Sequence, residues 1–138
     1  MKHTRHIIAI ISILLLASCD RKGDENGALD GMWQLTEWRN ETGQVVADQN
    51  AGIYYSFQLK LMKVQVPFST ACYLSHFVHQ DDELIVGQPT HWPTDSIYSL
   101  SELTKYGVPA DGHFHVDALS SSRLVLSSET GRLSFRKY

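Results

Sequence analysis

From Leu29 to Tyr138 the hydrophobic positions recur mainly at every second residue. Tyr55, Phe57, Leu59 and Leu61 are apolar while Ser56, Gln58 and Lys60 between them are polar, the period-two pattern of a half-buried antiparallel strand. Beyond Leu61 the phase slips: Met62, Val64 and Val66 are apolar and Lys63 and Gln65 polar, which predicts a bulge or sharp bend in one long strand. Further strands are predicted at Met32 to Arg39, Ser69 to His79, Glu83 to Val86, Gly112 to Ala118, Ser122 to Ser127 and Leu133 to Tyr138. Gln80-Asp81-Asp82, Ser120-Ser121 and Glu129-Thr130-Gly131 have turn composition, so consecutive strands form hairpins. One helix interrupts them: Ser99-Leu100-Ser101-Glu102 has the pattern of a capping box, Leu100, Leu103 and Tyr106 share a face, and Gly107 and Pro109 end it. The expected fold is all-β. It is an antiparallel meander closing into a small barrel of about eight strands, closure removing the exposed edges, with one short helix inserted before the last strands.

The N-terminus follows a different rule. Met1 to His6 is basic, and the ten residues Ile7 to Leu16 contain a single polar side chain, Ser12. A bilayer-spanning helix needs about 20 apolar residues, so the segment reads as an export signal rather than a permanent span. Leu16-Ala17-Ser18-Cys19 resembles the bacterial lipobox, in which an aliphatic residue and two small ones precede a cysteine that is acylated and becomes the new first residue. The resemblance implies cleavage between Ser18 and Cys19 and a lipid anchor on Cys19. Several acyl chains, at about 0.8 kcal/mol per buried methylene, make such an anchor stable. The expected partner is therefore a membrane, reached through the lipid. Residues 20 to 28 are polar, charged and glycine-containing, and read as a flexible tether. The division is a signal peptide over 1–18, a lipidated N-terminus and tether over 19–28, and one barrel domain over 29–138.

Charge and cysteine content narrow the options. Twelve Lys and Arg stand against fifteen Asp and Glu, and Lys2 and Arg5 lie before the cleavage site, so the mature part is more acidic still. A nucleic-acid partner, which calls for a basic face, is not expected. Once Cys19 carries lipid, Cys72 is the one remaining thiol, which excludes an internal disulfide. In Phe68 to Leu74 it reads as a small buried residue, with no electropositive neighbour in sequence to activate it.

Leu29-Asp30-Gly31-Met32-Trp33-Gln34-Leu35 resembles the Gly-x-Trp opening of the first strand in lipocalins and lipocalin-like barrels. Its place at the head of a meander, the closing strand Gly131 to Tyr138 and the lipobox in front make the whole similar to the small lipocalin-like lipoproteins of gut-dwelling anaerobic bacteria. That resemblance implies that Trp33 plugs the closed end of the barrel behind Gly31. It also implies that a cation of the last strand, Arg136 or its neighbour Lys137, lies over the ring, with Arg136 taken as the motif residue. The chain departs from true lipocalins in lacking a Thr-Asp-Tyr motif, in lacking a second cysteine for the usual disulfide, and in placing its helix before the last strands.

A ligand site is then expected at the open end. The aromatics taken to rim it are Tyr54, Tyr73, Trp92 and Tyr98; the two prolines of Gly87 to Pro93 suggest a shaped loop, from which Trp92 would gate or contact whatever binds. His113 and His115 have the His-x-His spacing found in zinc sites, with His76, His79, His91 or Asp117 as a third ligand. Because Phe114, Val116 and Ala118 form the apolar face of that strand, His113, His115 and Asp117 should face water, and no metal or cofactor is expected. Asp81, Asp82, Asp111 and Asp117 fall at turns or on that outward face, and no nucleophile elbow, phosphate loop or Cys-His pairing occurs. No catalytic residue is assigned. The expected function is that of a membrane-anchored lipoprotein, in the outer membrane rather than the inner, binding a small apolar or amphipathic ligand at the open end. The alternative is a non-enzymatic interaction or accessory module of an envelope complex, its barrel filled by its own side chains.

Overall fold

The computed structural model describes residues 25–138. The expected export signal, the Ser18-Cys19 cleavage site expected with it and most of the expected tether lie outside the described residues. Eleven strands form one antiparallel sheet: β1 (Gly31–Arg39), β2 (Val45–Asp48), β3 (Tyr54–Gln58), β4 (Leu61–Gln65), β5 (Cys72–Gln80), β6 (Glu83–Val86), β7 (Thr90–Trp92), β8 (Ser96–Ile97), β9 (His113–Leu119), β10 (Arg123–Ser128) and β11 (Gly131–Lys137). Eight of them close a ring in the order β1-β3-β4-β5-β6-β9-β10-β11, because β4 pairs β5 and β11 pairs β1. β2 lies beside the upper part of β1, and the small hairpin β7–β8 extends from the start of β5.

The inward positions are those the alternation selects. Trp33 and Leu35 on β1, Tyr55 and Phe57 on β3, Met62 and Val64 on β4, Phe114 and Val116 on β9, Leu124 and Leu126 on β10, and Leu133 and Phe135 on β11 are all buried in one core. A void wide enough for a water molecule would leave its walls accessible. Trp33, Tyr55, Phe57, Phe114 and Phe135 are all less than 2% exposed, so the centre of the barrel is solid. The rings meet directly, with centroids 4.8 Å apart for Tyr55 and Phe135 and 5.2 Å for Phe57 and Phe77.

Four sequence expectations are corrected. The phase slip after Leu61 is a hairpin and not a bulge. Gln58 pairs Leu61, so Leu59 and Lys60 form a two-residue turn, and Leu59 takes φ 55°. Leu59 and Leu61 therefore point outward and are exposed, although the run of alternation included them. Bulges occur elsewhere: between Leu35 and Glu37 the β1–β11 register slips, which is why Leu35 and Trp38, three residues apart, both face the core. A similar slip in the β9–β10 pairing turns Leu119 toward the core and leaves Ala118 opposite Val125. The helix is a 3-10 helix over Leu100–Tyr106. The capping box does not form, since the Ser99 hydroxyl meets the Ser101 hydroxyl at 2.6 Å and caps nothing, while Gly107 ends the helix at φ 90° as its composition predicts. The folded part also begins before Leu29. Gly27–Leu29 is a 3-10 turn with Leu29 fully buried, and the Asn26 side chain donates to Leu59 O at 2.8 Å and to Asp30 Oδ1 at 2.6 Å, so residues 26 to 28, expected in the tether, pack with the barrel.

Candidate binding site

Three parts of the barrel could receive a ligand: the closed end, the mouth and the outer wall. At the closed end the Trp33 indole is fully buried and donates from Nε1 to Leu29 O at 2.8 Å. The Lys137 ammonium lies 4.3 Å from the centre of the ring and also donates to Ala28 O, at 3.1 Å, and to Asp30 O. The motif cation is thus Lys137 and not Arg136. Leu133, Phe135 and Lys137 share the inward face of β11, while Arg136 points outward and donates to Gln34 Oε1 at 2.7 Å. Gly31 sits at φ 120°, and a Cβ there would approach Lys137 Nζ to 3.0 Å, so glycine keeps the path open for the ammonium. These polar groups are all engaged in closing the barrel.

The mouth is stoppered by the chain between β8 and β9. Leu103 and Val108 are fully buried, and Leu100, Tyr98 and Tyr106 pack against the core beneath them. Tyr55, whose burial drives its phenol far above the ordinary tyrosine range, sends its hydroxyl from the barrel wall to Tyr106 O at 2.6 Å. Thr130 Oγ1 donates to Gly107 O at 2.8 Å. Two of the four predicted rim aromatics do meet here: the Tyr73 ring lies 5.5 Å from Tyr98, 6.1 Å from Tyr106 and 5.2 Å from His91. They pack on one another rather than framing an opening. Tyr55→Phe should cost about 1 to 2 kcal/mol by leaving the Tyr106 carbonyl without its donor. It should also speed amide hydrogen exchange across residues 100–108 selectively; uniform protection would mean the bond does not hold the stopper.

The other two predicted rim residues stand on the outer wall, which corrects their placement. Tyr54 precedes the inward Tyr55 and so faces out, edge-on to Tyr138 with centroids 5.3 Å apart. Trp92 is the cross-strand partner of Cys72 and faces the same outward side; within Gly87 to Pro93, Thr90–Trp92 form β7 along β5. Between them runs a depression over the outer faces of β1, β3, β4 and β5, made of three clefts of about 520, 510 and 310 Å³. Met32 is common to the 510 and 520 Å³ clefts, Lys63 to the 510 and 310 Å³ clefts, and Gln65 and Thr70 to the 520 and 310 Å³ clefts, so the three adjoin as one groove. Phe68, which the sequence pattern did not single out, stands on its bank 91% exposed, in the left-handed region at φ 58°, which costs a bulky residue about 1 to 3 kcal/mol. The turn that holds it there is closed by Ser69 N to Val66 O, 3.2 Å, and Ala71 N to Ser69 Oγ, 3.1 Å. Cys72 lies in the floor beside Lys63, and burial pushes its thiol pKa up more than the lysine pulls it down.

His113, His115 and Asp117 face outward as the strand parity required. His115 Nδ1 meets Asp117 Oδ1 at 2.7 Å, and the same oxygen accepts from Ser127 Oγ at 2.8 Å. The hydrogen bond raises the His115 pKa; burial works to raise that of Asp117, but the bonds from His115 and Ser127 together hold it down. Serine and histidine thus converge on one carboxylate oxygen and not on each other, an arrangement in which histidine cannot take the serine proton.

A closed antiparallel ring of eight strands, a buried Gly-x-Trp end locked by a cation of the last strand, and an N-terminal 3-10 turn define a small lipocalin-like barrel. The chain belongs to the family described as a lipocalin-like domain, whose model matches residues 14–138. It is similar in structure to a lipocalin-like protein from Bacteroides uniformis at 23% identity and TM-score 0.61, over 81% of this chain and 100% of that one. An uncharacterized protein from Bacteroides eggerthii is similar at 26% identity and TM-score 0.56, over 80% of this chain and 99% of the other. A protein from Burkholderia xenovorans shares the fold at 18% identity and TM-score 0.55, over 80% and 83% of the two chains. No curated protein matches this chain.

Proposed function

We propose that this protein is a lipid-anchored, non-enzymatic binding protein of the bacterial envelope, in the outer membrane, whose barrel is a rigid filled support and whose binding surface is its outer wall. The observation that carries the reading is the solid interior. Five inward rings, Trp33, Tyr55, Phe57, Phe114 and Phe135, leave almost no accessible surface for a ligand, whereas a small-molecule site needs about 300 Å³ of lined space. Lined space of that size is present in the groove across β1, β3, β4 and β5. Leu16-Ala17-Ser18-Cys19 supports the anchor, and the mature chain reaches the first described residue, Glu25, only six residues after Cys19.

The test is mass spectrometry of the full-length protein expressed in a bacterial host and extracted gently in detergent. The denatured mass should correspond to a chain beginning at Cys19 and carrying acyl groups. Cys19→Ala should abolish the acylation and release the protein from the membrane fraction. The native mass should equal the denatured mass. A small molecule retained in the native state and lost on denaturation would place the ligand inside the barrel and defeat the outer-wall reading, and an unmodified Cys19 would defeat the anchor.

A further inference from the structure

We propose that the outer-wall groove binds a short, uncharged oligosaccharide, laid across the strands; this deepens the outer-wall reading and rests on it.

The groove first excludes one common occupant. Extended peptides recognised by sheets add themselves as a strand, using backbone N–H and C=O groups at a free edge. The floor here is the face of β1, β3, β4 and β5, strands that are each paired on both sides, so no backbone ladder is open to a peptide. A ligand lying on this face is held by side chains alone.

Those side chains are of two kinds. Three aromatic residues stand along the groove with unusual exposure: Phe68 at 91%, Tyr138 at 74% and Trp92 at 47%. Between them the floor presents amide, hydroxyl and ammonium groups, from Ser56, Gln58 and Thr70 to the central Lys63. Among the described residues the charged side chains of the lining are Lys63 and Asp30, whose carboxylate is already bonded to Asn26. A strongly anionic or cationic ligand therefore finds no matching field, and a purely apolar one would desolvate the amides and hydroxyls without partners. A ligand with apolar C–H faces and a rim of hydroxyls satisfies both kinds of lining. Its ring faces lie against the electron-rich faces of the aromatics, and its hydroxyls pair with glutamine, serine, threonine and lysine. That is the chemistry of a neutral sugar.

The dimensions set the length. From β1 through β3, β4 and β5 to β7 there are four strand spacings, about 19 Å along the curved wall at ~4.8 Å each. Several sugar units in a row cover that distance and a monosaccharide does not, so affinity should rise with chain length until the groove is full. The aromatic positions at opposite ends, Phe68 and Tyr138 near β1 and Trp92 at β7, make the binding additive in length.

The experiment is a printed array of neutral mono- to octasaccharides probed with the full-length protein in detergent micelles. It is followed by amide chemical-shift mapping with the best-binding glycan and, separately, with a tryptic digest of envelope proteins. The expected result is retention of neutral glycans of three or more units. Shifts should fall on Tyr54, Gln65, Thr70 and Trp92, and Trp92→Ala and Phe68→Ala should each weaken binding about tenfold or more while the thermal midpoint stays within a few degrees. Because both side chains are exposed, their loss leaves the core intact, and a variant that unfolds would show at once in the melting curve. An array without a bound neutral glycan overturns the proposal. If the peptides then shift the groove residues, the outer-wall reading stands and only the sugar assignment falls. Glycan shifts confined to Tyr98, Tyr106 and the 3-10 helix overturn both.

Discussion

Replacing Trp33 with alanine is expected to remove about 3 to 5 kcal/mol of stability, the range for emptying a large aromatic from a packed core. For a domain of this size that lowers the thermal midpoint on the order of 15 °C. The ring is fully buried, its Nε1 is bonded to Leu29 O, and it forms the face on which the Lys137 ammonium rests. Its removal opens the closed end and also strips one partner from a partly buried charge. The companion substitutions separate the two candidate cations. Lys137→Ala should cost about 1 to 2 kcal/mol through the lost cation–π contact and the two carbonyls it serves. Arg136→Ala should stay within about 1 kcal/mol, since its side chain lies outside and bonds Gln34. Thermal unfolding followed by circular dichroism checks all three. A larger loss for Arg136 than for Lys137 would reverse the register assigned to β11.

Gly131→Ala is expected to destabilise by about 3 kcal/mol, a second large effect from a single added methyl. Gly131 opens β11 at φ 113°, buried against the end of β1, and its new Cβ would overlap Arg39 O and sit 2.8 Å from Asn40 Cα. Both are backbone atoms, so nothing can swing aside; the strands must separate at the seam that closes the barrel. Gly43 provides the control. It has φ 81° but open space around it, so Gly43→Ala should show only the dihedral cost, about 1 kcal/mol. Equal losses at the two positions, read from denaturant midpoints, would mean that the contact with Arg39 contributes nothing.

Much of this architecture was legible because burial on one face of a strand imposes a period of two. Most of the ring strands announced themselves in that way. Lys137 was missed in favour of Arg136, although a signal for it existed: Leu133 and Phe135 fix the parity of β11 and put Lys137 on the inward face. The hairpin at Leu59 was hidden because its turn carries neither glycine nor asparagine, and an exposed leucine at positive φ is a local rule broken. β2, β7 and β8 were hidden for another reason: they lie outside the closed ring, contribute little to the core and so carry no alternation. The site was harder still. Tyr54 and Trp92 were expected at the mouth and stand on the outer wall, because their direction depends on parity in short strands. Phe68 lies in a loop where no periodicity speaks, and only the folded chain sets it beside Tyr138.

The turn that pins Asn26 to Leu59 also decides how the barrel bears load. A chain held at Cys19 and tugged from the membrane passes its tension to Asn26 and on into β1, which is hydrogen-bonded along its length to β3 on one side and β11 on the other. Tension along a strand loads those bonds together, in shear, instead of peeling them one after another from an end. With the proposed lipid anchor at Cys19, the load would enter the domain through the strand best placed to resist extraction.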